Sequence, residues 1–161
     1  MSHGIRTHNL TLRGQGIVLR PMTEKDWPLV HQWWNDPDIR YYGDEYDGDY
    51  SLNDLQLIVR AISWKAFCFV IEHQSRPVGD CWLQEMNLER ILGRYPESDC
   101  RRIDIEIVKE YWGKGLGSEA IRLLVDFGFR HENADAIFGC DIDEDNERSL
   151  RAFQRAGFVP H

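Results

Sequence analysis

RRIDIEIVKEYWGKGLGSEAIRLLVDFGFR, residues 101–130, divides into three pieces with three different periods. In the first, Ile103, Ile105 and Ile107 alternate with Asp104 and Glu106, the period of a half-buried strand. In the last, Leu116, Ala120, Leu123, Leu124 and Phe127 recur at helical spacing, and Glu119, Arg122 and Asp126 fall off that stripe. Between them lie Gly113, Gly115 and Gly117. Glycine takes backbone conformations that other residues avoid and lets a ligand approach the main chain. The helix behind the turn starts with unpaired amides at the positive end of its dipole. Strand, glycine turn and helix N-terminus in this order predict an anion site, with phosphate the usual anion.

Two phosphate patterns are absent. No Lys-Ser or Lys-Thr follows the glycines, as a P-loop requires, and the third glycine comes one residue too early for a dinucleotide fingerprint. A glycine turn without any ligand is the competing reading of these glycines alone. The stretch resembles the pyrophosphate loop of the GCN5-related N-acetyltransferases, Gln/Arg-x-x-Gly-x-Gly/Ala. Trp112 stands where that family has Gln or Arg, and Gly115 and Gly117 are the two glycines. A second resemblance follows an apolar run, AIFGCDI at 136–142. Residues 143–158, DEDNERSLRAFQRAGF, are similar to the family's DxxNxxAxxxYxxxGF signature. Asn146, Ser149 and Phe153 share one helical face, and Gly157 reads as a C-terminal cap.

The other elements can be read from period and punctuation. Residues 16–20 form a strand ended by Pro21, and Thr23 with Asp26 opens a helix that runs to about Trp34. Ser51 with Asp54 opens a second helix, which carries Leu55, Val59 and Ile62. Residues 67–72 and 78–86 form a hairpin, and 87–100 is a loop. The order β-α-α-β-β-β-α-β-α describes an α/β fold with a mixed sheet and helices on both faces. It is the order of the acetyltransferase fold that the motifs resemble. A chain of 161 residues suits one domain, 1–161, with 1–15 a loose leading segment. Family members continue past this point with further strand. The sheet is therefore expected to be completed by a tail or by a second subunit, as in a homodimer.

Composition excludes several functions. A net charge of −8 argues against nucleic acid as a partner. No apolar run approaches the ~20 residues that span a bilayer, and no signal-peptide core is present, so no membrane partner is expected. Cys68, Cys81, Cys100 and Cys140 form no CxxC, which suits a reduced, cytoplasmic protein. The six histidines lack ligand spacing, so no metal is expected.

The resemblance implies acetyl-CoA as the cofactor. Its pyrophosphate would rest on the loop Trp112, Gly113, Lys114, Gly115, Leu116, Gly117 and Ser118, with Asn146, Ser149 and Phe153 beside it. The pantetheine arm would lie between the fourth and fifth strands, and a backbone amide of the fourth strand, at or near Val108, would hold the acetyl oxygen. Asp104 or Glu106 would take the proton from an ammonium substrate. The competing reading makes them the wet face of a strand, or partners of Arg101 and Arg102. Phe153 replaces the usual tyrosine acid, so the thiolate leaves unaided, through water, or with Ser149 as donor.

The acceptor is read from charge. Asp44, Glu45, Asp47 and Asp49 sit in one short loop with Tyr42 and Tyr46, and Asp141 and Asp143 alternate on the fifth strand. Acids with aromatic walls suit a polycation, although a solvated acidic surface is the plain alternative. The run HQWWNDPDIRYYGDE, residues 31–45, resembles the aminoglycoside 6′-N-acetyltransferases, with Tyr41 and Tyr42 for their paired tryptophans. Asp141 matches an acid of that subgroup. The resemblance implies a small cationic amine, aminoglycoside-like, bound by Tyr41, Tyr42, Asp44, Glu45, Asp104 and Asp141. A polyamine, a ribosomal-protein N-terminus, or an acyl-CoA sensor without turnover are the alternatives.

Overall fold

The computed structural model describes residues 4–41 and 48–161. In chain order these form β1 (Leu12–Arg13), β2 (Val18–Pro21), α1 (Trp27–Trp34), α2 (Pro37–Arg40), α3 (Leu52–Ser63), β3 (Ala66–His73), β4 (Arg76–Glu85), α4 (Glu89–Arg94), β5 (Cys100–Ile107), α5 (Leu116–Arg130), β6 (Ala136–Gly139) and α6 (Glu147–Arg155). The strands make one sheet in the order β1-β2-β3-β4-β5-β6. Neighbours are antiparallel except β5 and β6, which run parallel across α5. The expected mixed α/β sheet is the one observed.

Thr23 and Asp26 cap a single 3-10 turn, Glu24–Asp26, and α1 starts after it at Trp27, whereas α3 starts where the sequence indicates. At α3, Ser51 Oγ accepts from the Asp54 amide at 3.0 Å, and Asp54 Oδ2 accepts from the Ser51 amide at 3.3 Å. That reciprocal pair satisfies two amides that the helix itself cannot. The period of two then divides the sheet's side chains between two cores. Ile103, Ile105 and Ile107 face α5 with Phe69, Leu83 and Leu124. Val70, Trp82 and Val108 face α1 and α3 with Trp33, Trp34 and Leu55. Asp104 and Glu106, out of phase with the three isoleucines, lie on that second side.

Three expectations need correction. The stretch before residue 16 is tied down rather than loose: Leu12 and Arg13 pair with β2, and a ring nitrogen of His8 lies 2.9 Å from the Cys68 carbonyl oxygen. The segment 87–100 contains α4, a helix of six residues. The apolar run 136–142 is a strand only as far as Gly139. Two features end it there. A Cβ on Gly139 would come within 2.7 Å of the Phe153 ring, and Asp141 takes a left-handed backbone with φ 54. The last β5–β6 pair is Ile103 with Gly139. β5 therefore runs on from Asp104 to Ile107 with no β6 residue beside it.

Candidate active site

The glycine turn packs against the open end of β5. Gly113 and Gly115 are both left-handed, with φ 76 and 78, and Gly115 is the residue from which α5 departs. Any side chain there would be strained, so glycine is what the turn requires. The unpaired amides of α5 point out over this turn. The turn and Ser118 form one wall of a cleft of about 400 Å³, and α6 forms the other with Arg148, Ser149, Arg151 and Arg155. Arg148, Arg151 and Arg155 add to the helix dipole, and Glu147, which also lines the cleft, pairs with Arg151 at 3.3 Å, so the balance is positive and the cleft fits a pyrophosphate. Lys114 does not line it, and the Leu116 side chain is buried in the core beneath. Trp112 donates its indole N–H to the Ile107 carbonyl at 2.6 Å, and the Arg148 guanidinium stacks 3.4 Å from the indole ring centroid. The indole, in place of a Gln or Arg, holds an arginine from α6 by a cation–π contact.

Ile105, Ile107, Arg148 and Ser149 also line a second cleft of about 400 Å³, over the unpaired end of β5. Its acids are Asp80, Asp104, Glu106, Asp141 and Asp143. Asp104 is paired with Arg102, whose Nη2 lies 3.1 Å from Oδ1. Glu106 stands opposite Asp80 in the β4–β5 ladder. Asn146 is the N-cap of α6 and accepts from the Ser149 amide at 3.2 Å, so its visible role is to start the helix. Phe153 is buried, packed on Gly139 and edge-on to Phe158. It forms a wall of the second cleft, and packing accounts for it.

Val108 does not have the amide expected of it. Its N–H donates to the Val78 carbonyl at 3.0 Å. Backbone groups alternate along a strand, so Ile107 and Ile105, one and three residues before Val108, turn their amides to the side that β6 leaves open. Asp141 and Asp143 lie beyond β6, not on it, and Asp141 is paired with Arg90 at 2.7 Å. Tyr41 is 70% exposed at the end of α2. Tyr42, Asp44, Glu45, Tyr46 and Asp47 lie outside the described residues.

Asp80 was not anticipated from the sequence. It is 1% exposed and lines the second cleft. Oδ2 accepts from the Trp34 indole N–H at 3.2 Å, and Oδ1 has no hydrogen-bond partner among the described residues. Burial, with the charge of Asp104 added, pushes its carboxyl up to about 7. The available signal was an acid inside the apolar run VGDCWL. The nearby thiols are not nucleophiles, because burial pushes Cys68 up to about 12 and Cys81 well above its ordinary value. A larger cleft of about 840 Å³ lies between β6 and the chain's last residues, with Tyr95, Phe129, Phe138 and Phe158 on its walls. It is mostly apolar and holds none of Asp80, Asp104 and Glu106, so size does not decide the site. Among the described residues no helix is long and apolar enough to cross a membrane, and no cluster of His, Cys, Asp and Glu could hold a metal ion.

Comparison with known proteins supplies the family. Residues 17–159 match the model of the acetyltransferase (GNAT) domain. The spermidine N(1)-acetyltransferase of Escherichia coli strain K12 is 29% identical over 147 residues, which cover 88% of this chain and 72% of that protein. The uncharacterized N-acetyltransferase p20 of Bacillus licheniformis is 26% identical over 163 residues, covering 92% of this chain and 85% of its own. Among solved structures, the aminoglycoside acetyltransferase AAC(6′)-Ib in complex with ribostamycin and coenzyme A matches with a TM-score of 0.76 at 25% identity, covering 91% of this chain and 85% of that one.

Proposed function

This chain belongs to the GNAT acetyltransferase family and is an acetyl-CoA-dependent N-acetyltransferase, and we propose that its acceptor is a primary amine of a small polycation. The observation that carries the proposal is the acidic cleft at the open end of β5, where Asp80, Asp104 and Glu106 converge and Arg102 pairs with Asp104. Such a field gathers cations and holds an ammonium group. Acetyl-CoA supplies an activated acetyl group as a thioester. The chain's part is to bind, orient and move protons. The amides from Gly113 to Ser118, with Arg148, Arg151 and Arg155, are assigned to the pyrophosphate. The Ile107 amide, rather than that of Val108, is assigned to the acetyl oxygen, where negative charge develops. Asp104 and Glu106 hold the cation, and a carboxylate of the cleft takes its proton.

Two acceptors of this class have support. An aminoglycoside is favoured by the likeness to AAC(6′)-Ib. A polyamine is favoured by the spermidine N(1)-acetyltransferase, at 29% identity. Asp104→Asn and Glu106→Gln should each raise KM for spermidine or ribostamycin roughly tenfold, the loss of one charge-assisted contact. Coenzyme affinity should stay within about twofold. Parental KM in both variants would refute the assignment of these acids to the amine. The ratio of kcat/KM for the two amines in the parent chooses between the acceptors.

A further inference from the structure

We propose that Asp80 is the proton acceptor of the transfer, a third cleft carboxylate that receives the substrate's ammonium proton on Oδ1. The inference rests on the proposed transfer to a cationic amine. Its ground is geometric. Asp80 is 1% exposed, yet it lines the cleft. The Trp34 indole holds one oxygen, and the other has no hydrogen-bond partner among the described residues. A buried acceptor left unsatisfied is costly, and an N–H entering the cleft satisfies it. Gly79 brings β4 and β5 together at this point, since a Cβ there would collide with the Glu106 carbonyl.

The neighbours divide the labour. Asp104 and Glu106 face Asp80 from β5, Cys68 comes from β3, and Trp34 comes from α1. Asp104 already has Arg102 as an ion-pair partner at 3.1 Å. Among the described residues no cation acts on Asp80, and burial leaves it with a proton affinity suited to neutral pH. The balance is simple. An ammonium N–H bond breaks, its electron pair stays on nitrogen, and the proton goes to Asp80. The neutral amine forms the amide C–N bond as the thioester C–S bond breaks. A second proton leaves the new amide nitrogen with the departing thiolate, which becomes a thiol. Asp80 returns its proton to water. Because the substrate nitrogen supplies the thiol's proton, Phe153 needs no hydroxyl.

Asp80→Asn keeps an oxygen for the Trp34 indole and loses basicity. It should lower kcat by at least ~100-fold at about pH 7, with KM for coenzyme and amine changed far less. The deficit should shrink as pH rises toward the amine's own pKa, because an already neutral amine needs no base. A merely structural role gives a deficit independent of pH. In the parent without ligands, difference infrared spectroscopy should show a protonated-carboxyl band that titrates near neutrality and is missing in Asp80→Asn. If that variant fails to fold, the parent's kcat/KM profile still decides, since a limb with an apparent pKa near 7 is required. An Asp80→Asn variant with parental turnover at all pH values overturns the role of Asp80 and leaves the proposed function standing. A parent that releases no coenzyme with any amine overturns both.

Discussion

Asp80 on β4 and Glu106 on β5 stand opposite each other in the ladder, beside the point where Gly79 passes too close to the Glu106 carbonyl for any side chain. The obstacle is backbone, so it cannot swing away. Gly79→Ala must force the strands apart where two acids share a cleft wall. The expected cost is about 1–3 kcal/mol, the range for overpacking. Urea unfolding measures it. Turnover should fall further than the stability loss explains, because the spacing of Asp80 and Glu106 changes with the strands.

Asp80 also links stability to pH. Burial raises its carboxyl from 3.8 to about 7. Between those values the folded chain keeps a proton that the unfolded chain has lost, so Asp80 makes stability fall as pH rises across that window. Asparagine has no such proton to lose. The stability of Asp80→Asn relative to the parent should therefore climb from about pH 4 to about pH 7 and level off above, with a rise of ~4 kcal/mol at most. Urea midpoints at stepped pH check this, and a flat difference counts against the raised carboxyl.

The sheet, its main helices and the glycine turn were legible because period and punctuation are local. Ile103, Ile105 and Ile107 fix the face of β5, and Ser51 with Asp54 marks the start of α3. What could not be read depends on partners far along the chain. The direction of the Val108 amide follows from its ladder with Val78, thirty residues earlier in the sequence. The isolation of Asp80 follows from Trp34 in α1, 46 residues away, and from β5. The early end of β6 is set by Phe153 over Gly139 and by the left-handed Asp141, neither visible in the apolar run AIFGCDI. The six-residue helix α4 is too short for its period to stand out.

Phe153 tests whether packing or chemistry holds its position. The ring is buried on Gly139. Phe153→Ala should cost about 3–5 kcal/mol, as for other buried aromatics. Phe153→Tyr should leave kcat within about threefold, since the account gives no proton to that position. A Tyr variant that turns over tenfold faster would instead show that leaving-group protonation limits the parent.

Gly117 probes the pyrophosphate cleft without backbone strain. Its φ is not left-handed, and a Cβ there would touch Ile107 and Ala152 at ordinary contact distances of 3.6 and 3.7 Å. Gly117→Val fills the space between the turn and α6. Calorimetry should show Kd for coenzyme A raised at least ~10-fold in a chain that unfolds as the parent does. Parental affinity in such a variant places the phosphates elsewhere.

Acetyl transfer to a small polycationic amine can be followed directly. The most direct measurement is coenzyme release from acetyl-CoA, followed with a thiol reagent, with spermidine, ribostamycin and a basic peptide bearing a free N-terminus offered in turn. The account predicts rapid release with spermidine or ribostamycin, one acetyl group added to a primary amine of the product by mass, and little release with the peptide. Binding of acetyl-CoA without release in the presence of either polycation would contradict it.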